Sequence, residues 1–123
     1  MKHADILIVD DTPDNLILLS HILKEHAYTV RTAINGRLAL QSAKAVPPAL
    51  ILLDVVMPEI DGYEVCRRLK RDKRMQYIPV IFFSSLDDVC YKIRAFEVGG
   101  VDYISKPFQA EEIVARIRTH IAL

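Results

Sequence analysis

The stretch LILLDVVMP, residues 50–58, decides the fold of this 123-residue chain. Its first four residues are apolar without alternation, which is typical of a central strand in a parallel sheet, because helices cover both faces of such a strand. The run ends in the carboxylate of Asp54, and Pro58 follows shortly after. The stretch therefore predicts a buried parallel strand with an acid at its carboxyl end.

Similar apolar runs alternate with amphipathic stretches along the whole chain. Strands are predicted over residues 6–9, 28–33, 50–53, 79–83 and 101–104. Helices are predicted from Pro13 after a capping Thr12, over 36–45, from Asp61 to about Arg71, from Asp87–Asp88 to Gly99 or Gly100, and over 110–120. Asp61 with Glu64 three residues later resembles a capping box, so Asp61 is predicted to cap its helix. Five strand–helix repeats indicate one α/β domain, a parallel sheet covered by helices on both sides.

Composition excludes several classes of function. The 16 Lys+Arg balance the 16 Asp+Glu, so we expect no direct nucleic-acid binding and no electrostatic attachment to a membrane surface. No apolar run is long enough to span a bilayer. The residues before Asp5 form no apolar stretch, so we expect no secretory signal and a cytoplasmic location. Two scattered cysteines, Cys66 and Cys90, favour neither a disulfide framework nor a zinc site.

Polar side chains follow four of the five strands. Asp10 and Asp11 follow the first, Asp54 the third, Ser84 the fourth, and Lys106 the fifth. Ligands of open α/β sheets bind outside the carboxyl ends of the strands. These groups converge there if the four strands are neighbours, which predicts the strand order 2-1-3-4-5.

Three converging carboxylates repel one another unless a cation lies between them. Mg²⁺ suits the site because it takes one or two carboxylates and completes its octahedron with water or phosphate oxygens. A lysine and a hydroxyl beside it are suited to a tetrahedral anion. The pattern therefore indicates a phosphoryl group near Mg²⁺, with one aspartate available as nucleophile.

The sequence resembles the receiver domains of bacterial two-component response regulators. The motifs are Asp10-Asp11, LDVVMPEIDG at residues 53–62, Ser84, and YISKPF at residues 103–108, within a match from about Asp5 to Ile121. The resemblance implies a flavodoxin-like (βα)5 domain over residues 1–123, expected to be the N-terminal part of a longer multidomain protein. It implies a phosphorelay signalling domain rather than an enzyme, although one that assists its own phosphorylation and autodephosphorylation.

The resemblance also implies a role for each residue of the acidic site. Asp54 is expected to be the phosphoacceptor, giving a 4-aspartylphosphate. Asp11 and Asp54 would bind Mg²⁺ through carboxylates, with the Val56 carbonyl as a third ligand and Asp10 acting through water or directly.

Three further positions are expected to respond to the phosphoryl group. Lys106, followed by a cis peptide bond to Pro107, would pair with Asp54 and then with a phosphoryl oxygen. Ser84 would bind another phosphoryl oxygen, which lets Tyr103 rotate inward, so Ser84 and Tyr103 form the switch.

The expected partners are a histidine kinase or phosphotransfer protein and an output domain or downstream protein. A homodimer on phosphorylation is a further hypothesis, because one face carries charges of both signs. That face, here called the charged face, comprises Arg94, Glu97, Asp102, Glu112, Arg116 and Arg118.

Alternative interpretations remain open at this level. Asp10 and Asp11 favour a helix N-terminus in any protein, Ser84 suits a helix cap, and Tyr103 suits a core position. A phosphohydrolase with an aspartyl-phosphate intermediate would need an acid where Val56 stands. A flavodoxin or dinucleotide-binding module would need a Gly-, Ser- or Thr-rich phosphate loop, which the sequence lacks.

Overall fold

The computed structural model describes residues 4–122, so Met1–His3 and Leu123 of the expected domain lie outside it. Strands and helices alternate strictly along the chain. The strands are β1 (Asp5–Val9), β2 (Thr29–Ala33), β3 (Leu50–Asp54), β4 (Val80–Ser84) and β5 (Asp102–Ser105). The helices are α1 (Pro13–Glu25), α2 (Gly36–Ala45), α3 (Gly62–Arg71), α4 (Val89–Glu97) and α5 (Ala110–Ala122).

The five strands form one parallel sheet in the order β2-β1-β3-β4-β5, which confirms the predicted topology. Asp54 lies opposite Phe83, and Ser84 lies opposite Ser105. The carboxyl ends of β1, β3, β4 and β5 are therefore level, and the residues that follow them share one edge of the sheet.

Two apolar layers enclose this sheet, one on each face. β3 is buried along its whole length, as the unbroken run of apolar residues predicts. Its alternate side chains enter opposite layers, Ile51 and Leu53 with α2 and α3, and Leu50 and Leu52 with α1 and α5. Full burial of such side chains stabilises the fold by roughly 1.5–3 kcal/mol each. The edge of the sheet that carries these polar residues is therefore supported by a well-packed core.

The start of α1 differs from the prediction in one detail. Thr12 occupies the N-cap position and Pro13 the first turn, as expected, but the Thr12 hydroxyl makes no cap bond. Instead, the Thr12 backbone N–H donates to Asp10 Oδ1 at 2.9 Å. The N–H of Asn15 in the first turn donates to the Thr12 main-chain carbonyl at 3.1 Å, so the backbone of Thr12 takes part in the cap and its hydroxyl does not.

The starts of α3 and α4 differ from each other. Asp61 Oδ1 accepts the Glu64 N–H at 2.9 Å, which confirms the predicted cap, although Glu64 binds Arg67 and Arg68 instead of completing a capping box. Asp88 holds the same position before α4 and makes no side-chain cap bond. Gly99 follows α4 with φ of 109°, so the left-handed residue is the first of the two candidate glycines.

Among the described helices, none combines the length and apolar character that crossing a membrane requires. Both cysteines are free thiols, Cys66 buried in α3 and Cys90 exposed on α4.

Candidate functional site

Three aspartates meet at the carboxyl edge of the sheet. One carboxylate oxygen from each of Asp10, Asp11 and Asp54 lies within 4.8 Å of the others. Asp10 is fully buried and Asp54 is 4% exposed, whereas Asp11 faces solvent. The structure thus brings together the three acids that the sequence placed at strand ends, and leaves the site open on the Asp11 side.

Asp10 is held by two hydrogen bonds from the segment that follows it. Its Oδ1 accepts the Thr12 N–H, and its Oδ2 accepts Asn15 Nδ2 at 2.8 Å. Sequence reasoning missed Asn15, although its position in the first turn of α1, five residues after Asp10, was a signal. These donors fix the carboxylate and offset part of the cost of burying it.

Lys106 lies between the two buried carboxylates. Its Nζ is 3.5 Å from Asp10 Oδ2 and 3.6 Å from Asp54 Oδ1, so the expected pairing with Asp54 is shared with Asp10. The same Nζ lies 5.0 Å from the ring centroid of Phe83, and the following bond to Pro107 is cis, as expected. A single ammonium thus faces two acids.

Burial, and after it the charge of Asp10, raise the pKa of Asp54 to about 7, although Lys106 and the Val56 N–H oppose the shift. Desolvation disfavours the ionised form, and a neighbouring carboxylate adds repulsion. The site therefore has more negative charge than its own residues neutralise.

The donor set fits Mg²⁺. All three acids offer hard oxygen ligands, the group contains no histidine or cysteine, and the exposed Asp11 leaves room for water. A dication would also relieve the repulsion that raises the pKa of Asp54. The Val56 carbonyl as a third ligand stays a prediction; the Val56 side chain projects into solvent, 57% exposed.

The second group of expected residues lies at the β4 and β5 ends. The buried Ser84 Oγ accepts the Leu86 N–H at 3.1 Å. Tyr103 is buried, and its hydroxyl donates to the Leu86 carbonyl. Burial raises the pKa of Tyr103. Both side chains therefore contact the loop between β4 and α4, with Tyr103 in the inward orientation.

The charged face is only partly free. Asp102 pairs with Arg116 at 2.6 Å and with His120 at 3.0 Å, and Glu112 pairs with Arg116 at 3.2 Å. His120 was absent from the expected set because its contact with Asp102 is tertiary. The other three residues are exposed: Arg94, Glu97 and Arg118. Of these, Arg94 already contacts the ring of Tyr63 within the chain.

The sequence profile of the response regulator receiver domain family matches residues 6–118. The chain is 42% identical over 113 residues to the DNA-binding dual master transcriptional regulator RpaA of Synechocystis sp., covering 92% of this chain and 47% of that protein. It is 41% identical over 116 residues to the response regulator PleD of Caulobacter vibrioides, covering 94% of this chain and 26% of that protein. The chain thus spans less than half the length of either relative.

A solved structure shares the fold. The signal receiver domain of a signal transduction histidine kinase from Syntrophus aciditrophicus superposes with a TM-score of 0.89 at 37% sequence identity. The superposition covers 97% of this chain and 90% of that one.

Proposed function

The chain belongs to the response regulator receiver domain family, and on that premise we propose that Asp54 is its phosphoacceptor. Proteins of this family are phosphorylated on an aspartate and control an output. One observation carries the assignment to Asp54: Lys106 lies within ion-pair distance of Asp10 and Asp54 alike, but both oxygens of Asp10 already accept hydrogen bonds, from the Thr12 N–H and from Asn15 Nδ2.

The proposed step is a transfer from a phosphohistidine. A carboxylate oxygen of Asp54 attacks phosphorus, an O–P bond forms, and the P–N bond to the donor imidazole breaks with its electron pair going to nitrogen. Lys106, already 3.6 Å from Asp54 Oδ1, then pairs with a phosphoryl oxygen, and the Ser84 hydroxyl donates to another. Attack requires an ionised Asp54, and positive charge bound beside it would lower its raised pKa and so increase the ionised share.

Receiver domains bind Mg²⁺ at an acidic pocket, and Asp10, Asp11 and Asp54 are proposed to hold it here, with the Val56 carbonyl. Bound there, the ion supplies positive charge for the carboxylates and the phosphoryl oxygens. Asp10 is fixed by its two donors, so its carboxylate is already oriented for direct or water-mediated binding.

Intact-protein mass tests this proposal after incubation with acetyl phosphate or phosphoramidate and Mg²⁺. We expect a gain of one phosphoryl group that is lost with EDTA and in Asp54→Asn. Asp61→Asn is the matched control, because it changes a neighbouring aspartate while an asparagine still caps α3. Labelling that persists in Asp54→Asn would assign the acceptor elsewhere.

The partners and domain context of the whole protein are further proposals, which family membership supports. Receiver domains interact with histidine kinases and output domains. We propose that a histidine kinase or phosphotransfer protein supplies the phosphoryl group, and that the domain is a non-enzymatic part of a longer chain. The greater length of RpaA and PleD supports this arrangement. The cytoplasmic location stays a prediction.

Homodimerisation through the charged face is a second proposal. Arg94, Glu97 and Arg118 are exposed with both signs, and Ile93 and Phe96 are exposed beside them on α4. Asp102 and Arg116 already pair within the chain, so they would have to exchange partners in a dimer. Light scattering with Mg²⁺ and beryllofluoride tests this: a doubled mass is expected, and an unchanged monomer mass at high concentration would contradict it.

A further inference from the structure

The segment between β4 and the first turn of α4 is attached by two tyrosine hydroxyls from different elements. Tyr103 of β5 donates to the carbonyl of Leu86. Tyr63 of α3 donates to the carbonyl of Tyr91, five residues further along, at 3.0 Å. The segment is therefore fixed at its start by the expected switch residue and at its end by a residue outside the acidic site.

Tyr63 is well placed to hold a helix. It is 3% exposed, its ring centroid lies 5.6 Å from that of Phe82, and the guanidinium of Arg94 lies 4.6 Å from the ring centroid. Burial raises the pKa of Tyr63 to about 12, so its hydroxyl keeps the donated proton at any physiological pH. α3 thus contacts α4 through the Tyr63 hydrogen bond and the Arg94 cation–π contact, and Cys66 Sγ donates to the carbonyl of Val98, the residue that ends α4, at 3.4 Å.

α4 depends on these contacts because its own attachment is sparse. Ala95 is its one fully buried residue, and the Asp88 side chain makes no cap bond. Phe82, which packs against Tyr63, is the register neighbour of Tyr103 in the sheet. Tyr63, Phe82 and Tyr103 therefore line the same apolar layer beneath α4.

The geometry points to Tyr63 as a positioning residue of the switch: its hydroxyl holds the first turn of α4 where the Leu86 carbonyl can accept the Tyr103 hydroxyl. This inference rests on the proposed function, since it concerns the response to occupation of Asp54. The Tyr63 hydroxyl donates to the Tyr91 carbonyl and not to an aspartate of the acidic cluster. It acts through α4 and the preceding loop on the orientation of Tyr103.

Thermodynamic linkage allows the effect of Tyr63 on the switch to be measured as a change in the affinity for a phosphoryl mimic. Suppose that the Tyr63 hydroxyl and a phosphoryl mimic at Asp54 both favour the inward state of Tyr103. Removing the hydroxyl then weakens binding of the mimic, at most by the factor by which the hydroxyl shifts the equilibrium toward the inward state. One hydrogen bond to a buried group corresponds to about three- to tenfold.

The test compares Tyr63→Phe with Tyr91→Phe. Tyr63→Phe keeps the ring and loses the donor, whereas Tyr91→Phe removes a hydroxyl from α4 and keeps the accepting carbonyl. Two quantities are measured: the apparent Kd for beryllofluoride with Mg²⁺, and the rate at which tetranitromethane nitrates Tyr103 in the ligand-free protein, followed in a tryptic peptide that contains no other tyrosine.

For Tyr63→Phe we expect beryllofluoride affinity to fall and Tyr103 nitration to rise, each by about three- to tenfold. Arg94→Gln should act in the same direction by about twofold, because the exposed guanidinium contributes less. Tyr91→Phe should match the wild type in both measurements.

Unchanged affinity and nitration in Tyr63→Phe, with a lower Tm, would reduce Tyr63 to a structural role and overturn the inference. Tighter beryllofluoride binding would overturn it too, because Tyr63 would then oppose the inward state. A wild type that binds no beryllofluoride would contradict the proposed function instead, and the nitration rates would still decide the role of Tyr63.

Discussion

α3 and α4 follow neighbouring strands, and each begins near a residue of the site, yet they are attached differently. α3 buries Gly62, Tyr63, Val65, Cys66 and Leu69, and Asp61 caps it. α4 buries Ala95 alone and has no side-chain cap. From this contrast we expect the Asp54 half of the site to be rigid and the Ser84 half, which lies before the sparsely attached α4, to respond to phosphorylation.

The backbone at the start of α3 gives the largest expected effect. A Cβ added at Gly62 would lie 2.2 Å from the Asp54 carbonyl oxygen, which is main chain and cannot rotate away. We expect Gly62→Ala to lower the free energy of unfolding by about 4 kcal/mol or more, measured by urea denaturation.

Val89 supplies the matched position, since it is the first residue of α4 and exposed. Val89→Ala should change stability by less than about 0.5 kcal/mol. Similar losses of unfolding free energy in the two variants would contradict the difference in attachment between α3 and α4.

The pH dependence of stability tests the rigid half. The folded pKa of Asp54 is about 7, above its unfolded value, so between these values the folded state binds more protons than the unfolded state. Stability of the metal-free protein should therefore fall as pH rises from about 4 to 7, by about 3 kcal/mol. Asp54→Asn should flatten the profile and be the more stable protein at pH 8.

Asp88→Asn on the α4 side is the control and should follow the wild-type profile. Chemical denaturation at several pH values without Mg²⁺ gives the comparison. A wild-type stability that rises between pH 5 and 7 would contradict the burial cost assigned to Asp54, because the sign would be reversed.

The helix caps give a smaller but closely matched contrast. Asp61→Ala removes the acceptor of the Glu64 N–H and should cost about 1 kcal/mol. Asp88→Ala removes no such bond and should cost less than about 0.5 kcal/mol. Equal costs, measured by thermal unfolding, would mean that the caps do not distinguish α3 from α4.

Local sequence patterns predicted the fold and the meeting point of the acidic residues. Unbroken apolar runs identify buried parallel strands, and parallel strands end at a shared edge, so the acids after β1 and β3 had to approach each other. The same logic placed Lys106 at that edge, whereas its pairing with Asp54 was implied by the resemblance to receiver domains. Asp61 was predicted as a cap because its bond spans only three residues.

Contacts between distant elements could not be predicted in this way. The Tyr63 bond to Tyr91 and the His120 bond to Asp102 depend on how helices dock, which no periodicity encodes. Asn15 lies close to Asp10 in sequence, but its contact depends on the turn after β1. The sequence therefore located the acidic residues and the lysine of the site, but not the residues that hold them and the neighbouring helices in place.

Hydrogen exchange with Mg²⁺, with and without beryllofluoride, tests the central claim most directly. With the mimic bound we expect protection to change across β4, α4 and β5, residues 80–105, and to stay constant across α3, residues 62–71. Asp54→Asn should abolish the change. An equal change in α3, or none in α4 with the mimic bound, would contradict the account of a rigid acidic half and a responsive half.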